Sequence, residues 1–214
     1  MPPKLLLFIT TILFFFTANS QVQVSKEPRH KPVLQNEYFR LLDVWLPPGD
    51  TTFYHIHSTP SLFLYLTSNR MSSQTLGGKW VQDSAIAGIA WYRSFTPDHL
   101  IHRVVNTDSK PFHVNDIEIL SAFNPGNYKP LSFAVIFDNK KAAAYSIETS
   151  NGSIIMDRGP IIAELVYGEG VTFNNVSKNA SQSLQSGQYV YIPPGTSFSF
   201  KAPGKIKLVI FEIK

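Results

Sequence analysis

The polar and apolar residues of this chain form short segments with the periodicity of β-strands. Residues 38–46 alternate well enough for a strand, and Pro47-Pro48-Gly49-Asp50 ends that segment with residues typical of turns. Residues 62–66 form a continuous apolar run of strand length, as expected where both faces of a strand are covered. No stretch of the mature chain shows a long apolar pattern with a period of 3.6 residues. The pattern therefore predicts an all-β protein, an antiparallel sandwich or barrel.

The first twenty residues form a separate unit. Lys4 precedes an almost unbroken apolar run at 5–16, and Ala18-Asn19-Ser20 places small residues where a signal peptidase reads. We expect a signal peptide at 1–20 and a secreted or periplasmic mature protein without a membrane segment. An uncleaved membrane anchor is the alternative, because the two differ chiefly in the length of the apolar run.

The charge and the absence of cysteine narrow the chemistry. The formal net charge is +4, and the basic residues are scattered along the chain, so nucleic acid is not an expected partner. Because the chain has no cysteine, zinc-thiolate sites and cysteine nucleophiles are excluded. Any bound metal must have nitrogen and oxygen ligands.

Composition also suggests where the mature chain divides. Residues 21–32 are polar and without periodicity, which predicts a flexible leader before a first domain at 33–125. The strongest internal break is Asn124-Pro125-Gly126-Asn127, and a second β-rich domain is expected at 130–214. Residues 187–198 parallel residues 97–102, which suggests a duplication, although ordinary strand–turn–strand composition would produce the same parallel.

Two histidines dominate the candidate chemistry. His55 and His57 are one residue apart in a predicted strand, so their side chains point to the same face. Two imidazoles on one face can chelate a metal if a third ligand comes from elsewhere in the chain. The alternative is a pair of histidines exposed on an edge strand.

The spacing around these histidines resembles the cupin family. Gly49, five residues and then His55-Ile56-His57 resemble the first cupin motif, and the run from Pro97 through His102 to Asn106 resembles the second. The resemblance implies a double-stranded β-helix, or jelly roll. The second half keeps the frame of the second motif but has Phe198 in place of its histidine. The chain thus looks like two cupin barrels in tandem, the second of them degenerate.

The resemblance also implies a ligand set. It carries over His55, His57 and His102 as metal ligands, whereas the glutamate that the family usually supplies is absent and Ser61 stands near its position. Such a set would take a divalent metal: iron is expected, with zinc, nickel, copper or manganese as alternatives. Without metal, the trio would be a proton-shuttling or structural cluster.

Several other residues are candidates for the pocket, although no catalytic residue is assigned. The strand next to the first motif places Ser61 and Tyr65 on one face with Phe63. The remaining candidates are Arg93, His99 and His113. Arg93 could clamp a carboxylate, or it could be a solvated strand charge. His99 could line the pocket mouth, act as a fourth ligand or lie in a loop; His113 could line the barrel or be structural.

The sequence is compatible with three functions. Three-histidine iron sites occur in cupin dioxygenases such as cysteine dioxygenase, which this site resembles in ligand set alone. A metal-dependent dioxygenase acting on a small oxygenated molecule is therefore one hypothesis. The others are a non-catalytic cupin that binds a sugar or an organic acid, and a metal-dependent isomerase or lyase, since cupins host unrelated activities. Pairing of barrels into a homodimer is a further option.

Overall fold

The computed structural model describes residues 21–124, 126, 129–150, 158–176 and 178–214. The predicted signal peptide at 1–20 lies outside the described residues, as do Pro125 and Asn127 of the predicted domain break. The described part is all-β, as predicted, with one short 3-10 helix at Val24–Lys26. None of its helices is long and apolar enough to cross a membrane.

The first half of the chain forms two five-stranded sheets that face each other. One sheet has the strand order β1-β4-β9-β6-β7 and the other the order β2-β3-β10-β5-β8. The strands are β1 (Val22–Gln23), β2 (His30–Gln35), β3 (Phe39–Leu46), β4 (His55–His57), β5 (Ser61–Tyr65), β6 (Asn69–Thr75), β7 (Trp80–Ala85), β8 (Ala90–Arg93), β9 (Leu100–Asn106) and β10 (Phe112–Ile119). All pairings within these two sheets are antiparallel except that of β1 with β4.

The second half repeats this arrangement with fewer strands. A five-stranded sheet has the order β11-β12-β18-β13-β16 and a three-stranded sheet the order β15-β14-β17. The strands are β11 (Ala134–Asp138), β12 (Ala142–Ile147), β13 (Ile161–Tyr167), β14 (Val171–Asn175), β15 (Ala180–Leu184), β16 (Tyr189–Ile192), β17 (Phe198–Lys201) and β18 (Lys207–Ile213). Phe198, which stands at the histidine position of the second motif, is 2% exposed and packs against Phe173 inside this barrel.

The two barrels share a hydrophobic core. Strands β3, β5 and β10 of the first barrel are buried on both faces, and their outer face packs against β12, β13 and β18 of the second. This cluster contains Leu64, Ile117 and Phe211, all fully buried. Burial of both faces explains why residues 62–66 show no alternation. The side chains at the even positions face the second barrel, whereas Phe63 and Tyr65 line the first barrel's interior.

The segment predicted as a flexible leader is part of the first barrel, so that expectation is corrected. β1 pairs in parallel with β4, matching Val22 to His55, and Val24 is 1% exposed. Glu27 and His30 are also buried, at 2% and 6% exposure. The segment has no apolar periodicity because it is held mainly by polar contacts and by backbone pairing, which a hydrophobic pattern does not register.

We expect Leu64→Ala to destabilise both barrels together. Removing a fully buried leucine side chain from the shared core leaves a cavity and costs about 2–5 kcal/mol of unfolding free energy. Denaturant unfolding followed by fluorescence and circular dichroism should show one transition, displaced to lower denaturant. The control is Leu76→Ala, whose side chain is half exposed and should change stability by about 0.5 kcal/mol or less. Two separate transitions with only one displaced would contradict a shared core.

Candidate metal centre

Two adjacent strands bring three histidines together inside the first barrel. β4 is only three residues long, and both of its histidines are buried while Ile56 points the other way. β4 pairs with β9 in a register that places His55 opposite His102. The Nε2 atom of His57 lies 3.1 Å from the Nε2 of His55 and 3.1 Å from the Nε2 of His102. His57 therefore lies within contact distance of both other predicted ligands.

Each of these two distances fits a pair of ligands on one metal ion. Nitrogens bound at about 2.1 Å to the same ion lie about 3.0–3.4 Å apart, depending on whether the geometry is octahedral or tetrahedral. The Nδ1 of His55 lies 2.9 Å from the carbonyl oxygen of Phe53. Since a carbonyl can only accept, this Nδ1 carries the proton and the Nε2 presents a lone pair to the centre.

His57 has a carboxylate behind it. The Nδ1 of His57 is buried without a hydrogen-bond partner and lies 3.4 Å from the Oδ2 of Asp116 on β10. Neither carboxyl oxygen of Asp116 has a hydrogen-bond partner. Burial raises the pKa of Asp116 well above its usual range, and the neighbouring Glu118 raises it further. A histidine between a metal and a carboxylate is a common arrangement in metal sites, and a dication at the centre would compensate this buried acid.

All three imidazoles are held neutral by their surroundings. Burial lowers the pKa of His55 to about 2, with the nearby His30 and His102 adding to the effect. Burial likewise lowers the pKa of His102 to about 4, and that of His57 falls well below its usual range. Neutral imidazole is the form that binds metals. The site is therefore ready for a cation at any ordinary pH.

An aromatic ring covers one side of the centre. The ring of Phe95 stacks on His57 at a centroid separation of 4.9 Å and an interplanar angle of 18°. Phe95 is 3% exposed and has a φ of 53°, a left-handed conformation that non-glycine residues adopt at some energetic cost. The packing on His57 offsets this cost and fixes the plane of the imidazole.

His30 is a site residue that the sequence did not indicate. It is buried, and its ring centroid lies 4.5 Å from that of His55. Its Nδ1 lies 2.8 Å from the Oε2 of Glu27. One ligand atom from each of His30, His55 and His57 can be chosen so that all lie within 4.8 Å of one another. A Glu-x-x-His spacing in a polar segment was the only signal, and it is too common to be informative.

The histidines open onto a small cavity in the barrel, about 90 Å³ in volume. Its other walls are almost entirely apolar. They consist of Val44, Leu46, Thr52, Phe63, Tyr65, Met71, Trp91, Val104, Phe112, Val114 and Asp116. Burial raises the pKa of Tyr65 to about 12, with Asp83 adding to the effect, so its phenol stays protonated. The cavity therefore combines a cation site with an apolar, aromatic wall.

The structure separates the five pocket candidates. Tyr65 lines the cavity, and Ser61 is buried near the site with its hydroxyl donating to the Thr59 carbonyl. His99 is exposed in the turn before β9, and Arg93 is exposed with its guanidinium over the ring of Phe95.

His113 does not line the cavity, because it lies on the opposite face of β10 from Asp116. There its Nε2 lies 2.6 Å from an oxygen of Asp43. The prediction that His99, Arg93 and His113 line the pocket is therefore wrong.

Comparison with known proteins gives structural matches only. No protein-family model matches the chain, and no curated protein matches its sequence. Among solved structures, the protein Ylba from E. coli is similar with a TM-score of 0.60 and 13% identity, covering 85% of this chain and 81% of that one. A "Cupin 2 conserved barrel domain protein" from Leptotrichia buccalis has a TM-score of 0.57 and 9% identity, with coverages of 86% and 88%.

A third similar structure is an enzyme, the salicylate 1,2-dioxygenase of Pseudoaminobacter salicylatoxidans. Its TM-score is 0.57 at 13% identity, and the match covers 82% of this chain and 68% of the enzyme. These matches run through both halves of the chain, and at such identities they establish the fold. The chain therefore has the cupin fold, with two double-stranded β-helix barrels in tandem.

Proposed function

We propose that this protein is a metal-dependent cupin enzyme that acts on a small, largely apolar molecule with an oxygen donor. The observation that carries the proposal is the contact between three histidine nitrogens. The Nε2 of His57 lies 3.1 Å from the Nε2 of His55 and 3.1 Å from the Nε2 of His102. A divalent metal held there would supply a Lewis acid and, if it is iron, the means to use dioxygen.

The cavity limits the size of the substrate. Its volume of about 90 Å³ is well below the roughly 300–1,000 Å³ typical of pockets for drug-sized ligands. Phe63 and Trp91 stack on each other at a centroid separation of 4.8 Å and form a flat wall. A small planar or branched molecule fits such a wall, and its polar end would point to the histidines.

Dioxygenase chemistry is the reaction class that we favour. The ligand set contains no carboxylate, so a bound dication would keep its full charge and attract an anionic or enolate-forming oxygen. The similar fold of the salicylate 1,2-dioxygenase supports this choice. The walls of the cavity would bind the apolar body of the molecule and exclude water from it.

The first experiment is metal analysis of the purified mature protein. We expect about one equivalent of a divalent metal per chain, and oxygen consumption by the iron-loaded form with some member of a panel of small diketones, thiols and catechols. The exposed-histidine variant His99→Ala should match the wild type, because His99 lies outside the cavity. Failure of the wild type to retain any divalent metal would contradict the proposal.

A non-catalytic, ligand-binding cupin is the second candidate. Asp116 is the one carboxylate among the described residues lining the cavity, and it lies behind His57, so the cavity offers no separate carboxylate as general acid or base. For a binding protein, small organic acids would perturb the metal's spectrum without oxygen uptake or turnover. Export to the periplasm or the exterior remains part of this proposal and rests on residues 1–20 alone.

A further inference from the structure

The histidine at the start of β2 faces the same centre as the three motif histidines. His30 is 6% exposed, and its ring lies 4.5 Å from that of His55 and 6.3 Å from that of His57, measured between centroids. Ligand nitrogens of these three residues lie within 4.8 Å of one another. A shift of roughly 1.5 Å would bring such nitrogens to the separation of neighbouring ligands on one ion.

The hydrogen bonding of His30 leaves the correct nitrogen available. The Nδ1 of His30 lies 2.8 Å from the Oε2 of Glu27, an acceptor, and so carries the proton. In the neutral imidazole, the form that binds metals, the Nε2 presents its lone pair, as does the Nε2 of His55. A carboxylate behind the non-ligating nitrogen is the arrangement that orients metal-binding imidazoles. Glu27 lies behind His30 at 2.8 Å, and Asp116 lies behind His57 at 3.4 Å.

Glu27 is itself fixed by several contacts. Its Oε1 accepts the backbone N–H of Phe53 at 3.0 Å, and its Oε2 also accepts the backbone N–H of Arg29 at 2.7 Å. Arg29 in turn donates two hydrogen bonds to Asp50, at 2.8 and 3.1 Å. These contacts join the N-terminal segment to the loop before β4. Burial of Glu27 and His30 with this set of hydrogen bonds has no explanation if the segment only covers the barrel.

We propose that His30 is the fourth imidazole ligand of the metal centre, delivered by the N-terminal segment and oriented by Glu27. The inference rests on the proposed metal centre and completes its ligand set. The side of the site where cupins usually supply a glutamate has Ser61 here, whose hydroxyl donates to a backbone carbonyl. The centre would thus be held by four imidazole nitrogens, with the carboxyl group of Glu27 at 2.8 Å behind His30 and that of Asp116 at 3.4 Å behind His57 to balance the charge of a dication.

The experiment counts the nitrogen ligands directly. The mature protein is loaded with one equivalent of Cu²⁺, and the nitrogen hyperfine pattern is recorded by electron paramagnetic resonance. We expect the pattern of four imidazole nitrogens in the wild type and of three in His30→Ala. In parallel, a competition titration with Zn²⁺ should show an affinity roughly 100-fold lower for His30→Ala. His99→Ala, which removes an exposed histidine, should match the wild type in both measurements.

The outcomes separate this inference from the proposed function. Three nitrogens in the wild type, or an unchanged pattern and affinity in His30→Ala, would overturn the role of His30 and leave the three-histidine centre standing. A wild type that binds neither Cu²⁺ nor Zn²⁺ would overturn both. The wild-type count needs no variant, so it decides the question even if His30→Ala loosens the segment.

A second variant tests the role of Glu27. Glu27→Gln keeps the shape of the side chain but weakens its hold on the Nδ1–H of His30. Because Glu27 acts by positioning His30, the substitution should lower Zn²⁺ affinity by roughly 10-fold while the nitrogen count stays at four. An affinity equal to that of the wild type would contradict the role given to Glu27.

Discussion

Replacing His57 with alanine is expected to abolish stoichiometric metal binding. His57 is the central member of the trio, because its Nε2 lies 3.1 Å from both of the other Nε2 atoms. Zinc sites of four ligands are worth about 10–16 kcal/mol, or roughly 3–4 kcal/mol for each ligand. Loss of one ligand therefore costs roughly 100- to 1,000-fold in affinity. Elemental analysis and Zn²⁺ competition would measure the loss.

The stacking and the buried acid should make His57→Ala the most damaging of the histidine variants. It also removes the partner of the Phe95 ring and leaves Asp116 facing an empty space. The matched control is His113→Ala, on the outer face of the same barrel, which should retain the metal. Circular dichroism would establish that both variants are folded. Retention of a full equivalent of metal by folded His57→Ala would contradict the assignment of this centre.

Strand alternation alone was sufficient to predict much of the site. A His-x-His pair on a strand must share a face, and the structure buries His55 and His57 on one side of β4. The same reasoning predicted that Phe63 and Tyr65 share a face, and both line the cavity. The meeting of His102 with His55 followed from the motif resemblance, since register between strands distant in sequence is not encoded locally.

Alternation could not decide which face of β10 looks inward. One face of β10 carries His113 and Asn115, and the other carries Val114 and Asp116. Each face therefore has a polar residue of a type that occurs in functional sites. β10 is covered on one side by the cavity and on the other by the second barrel, so both faces are buried. Only the tertiary packing places Asp116 beside His57 and His113 on the outer face.

The N-terminal segment escaped prediction for a different reason. Residues 21–32 carry few apolar side chains, and a polar segment of that kind is usually solvated. Here Glu27 and His30 are buried together, and each compensates the other's desolvation. Burial disfavours the charged form of Glu27, but hydrogen bonds from His30 and from two backbone N–H groups leave its pKa lowered overall. Such pairwise compensation leaves no trace in a hydrophobic pattern.

The interface between the barrels also contains a buried acid, Glu164, which does not contact the metal centre. Glu164 on β13 is fully buried and shares a face with Ile162 and Val166, which pack in the shared core. Its Oε2 accepts a hydrogen bond from the Nδ2 of Asn115 at 2.5 Å, while its Oε1 has no partner. Burial raises the pKa of Glu164 to about 8; the hydrogen bond from Asn115 opposes the shift, and the charge of Asp43 on β3 adds to it.

We expect Glu164→Gln to gain stability relative to the wild type as the pH rises from about 5 to 9. Between the ordinary pKa of 4.5 and the raised value of about 8, the folded state holds a proton that the unfolded state has released. The contribution of Glu164 to the free energy of unfolding therefore falls with rising pH in this window and levels off above it. The loss is on the order of 4 kcal/mol, since each unit of pKa shift is worth about 1.4 kcal/mol. Glutamine cannot ionise and keeps the hydrogen bond to Asn115.

Urea denaturation of wild type and variant from pH 5 to 9 tests this, with the exposed-site variant Glu169→Gln as control. The stability of Glu164→Gln relative to the wild type should rise through this window, while that of Glu169→Gln relative to the wild type stays constant. Parallel curves for wild type and Glu164→Gln would mean that Glu164 is ionised in the folded interface, and that Asn115 and the backbone around it stabilise a buried charge.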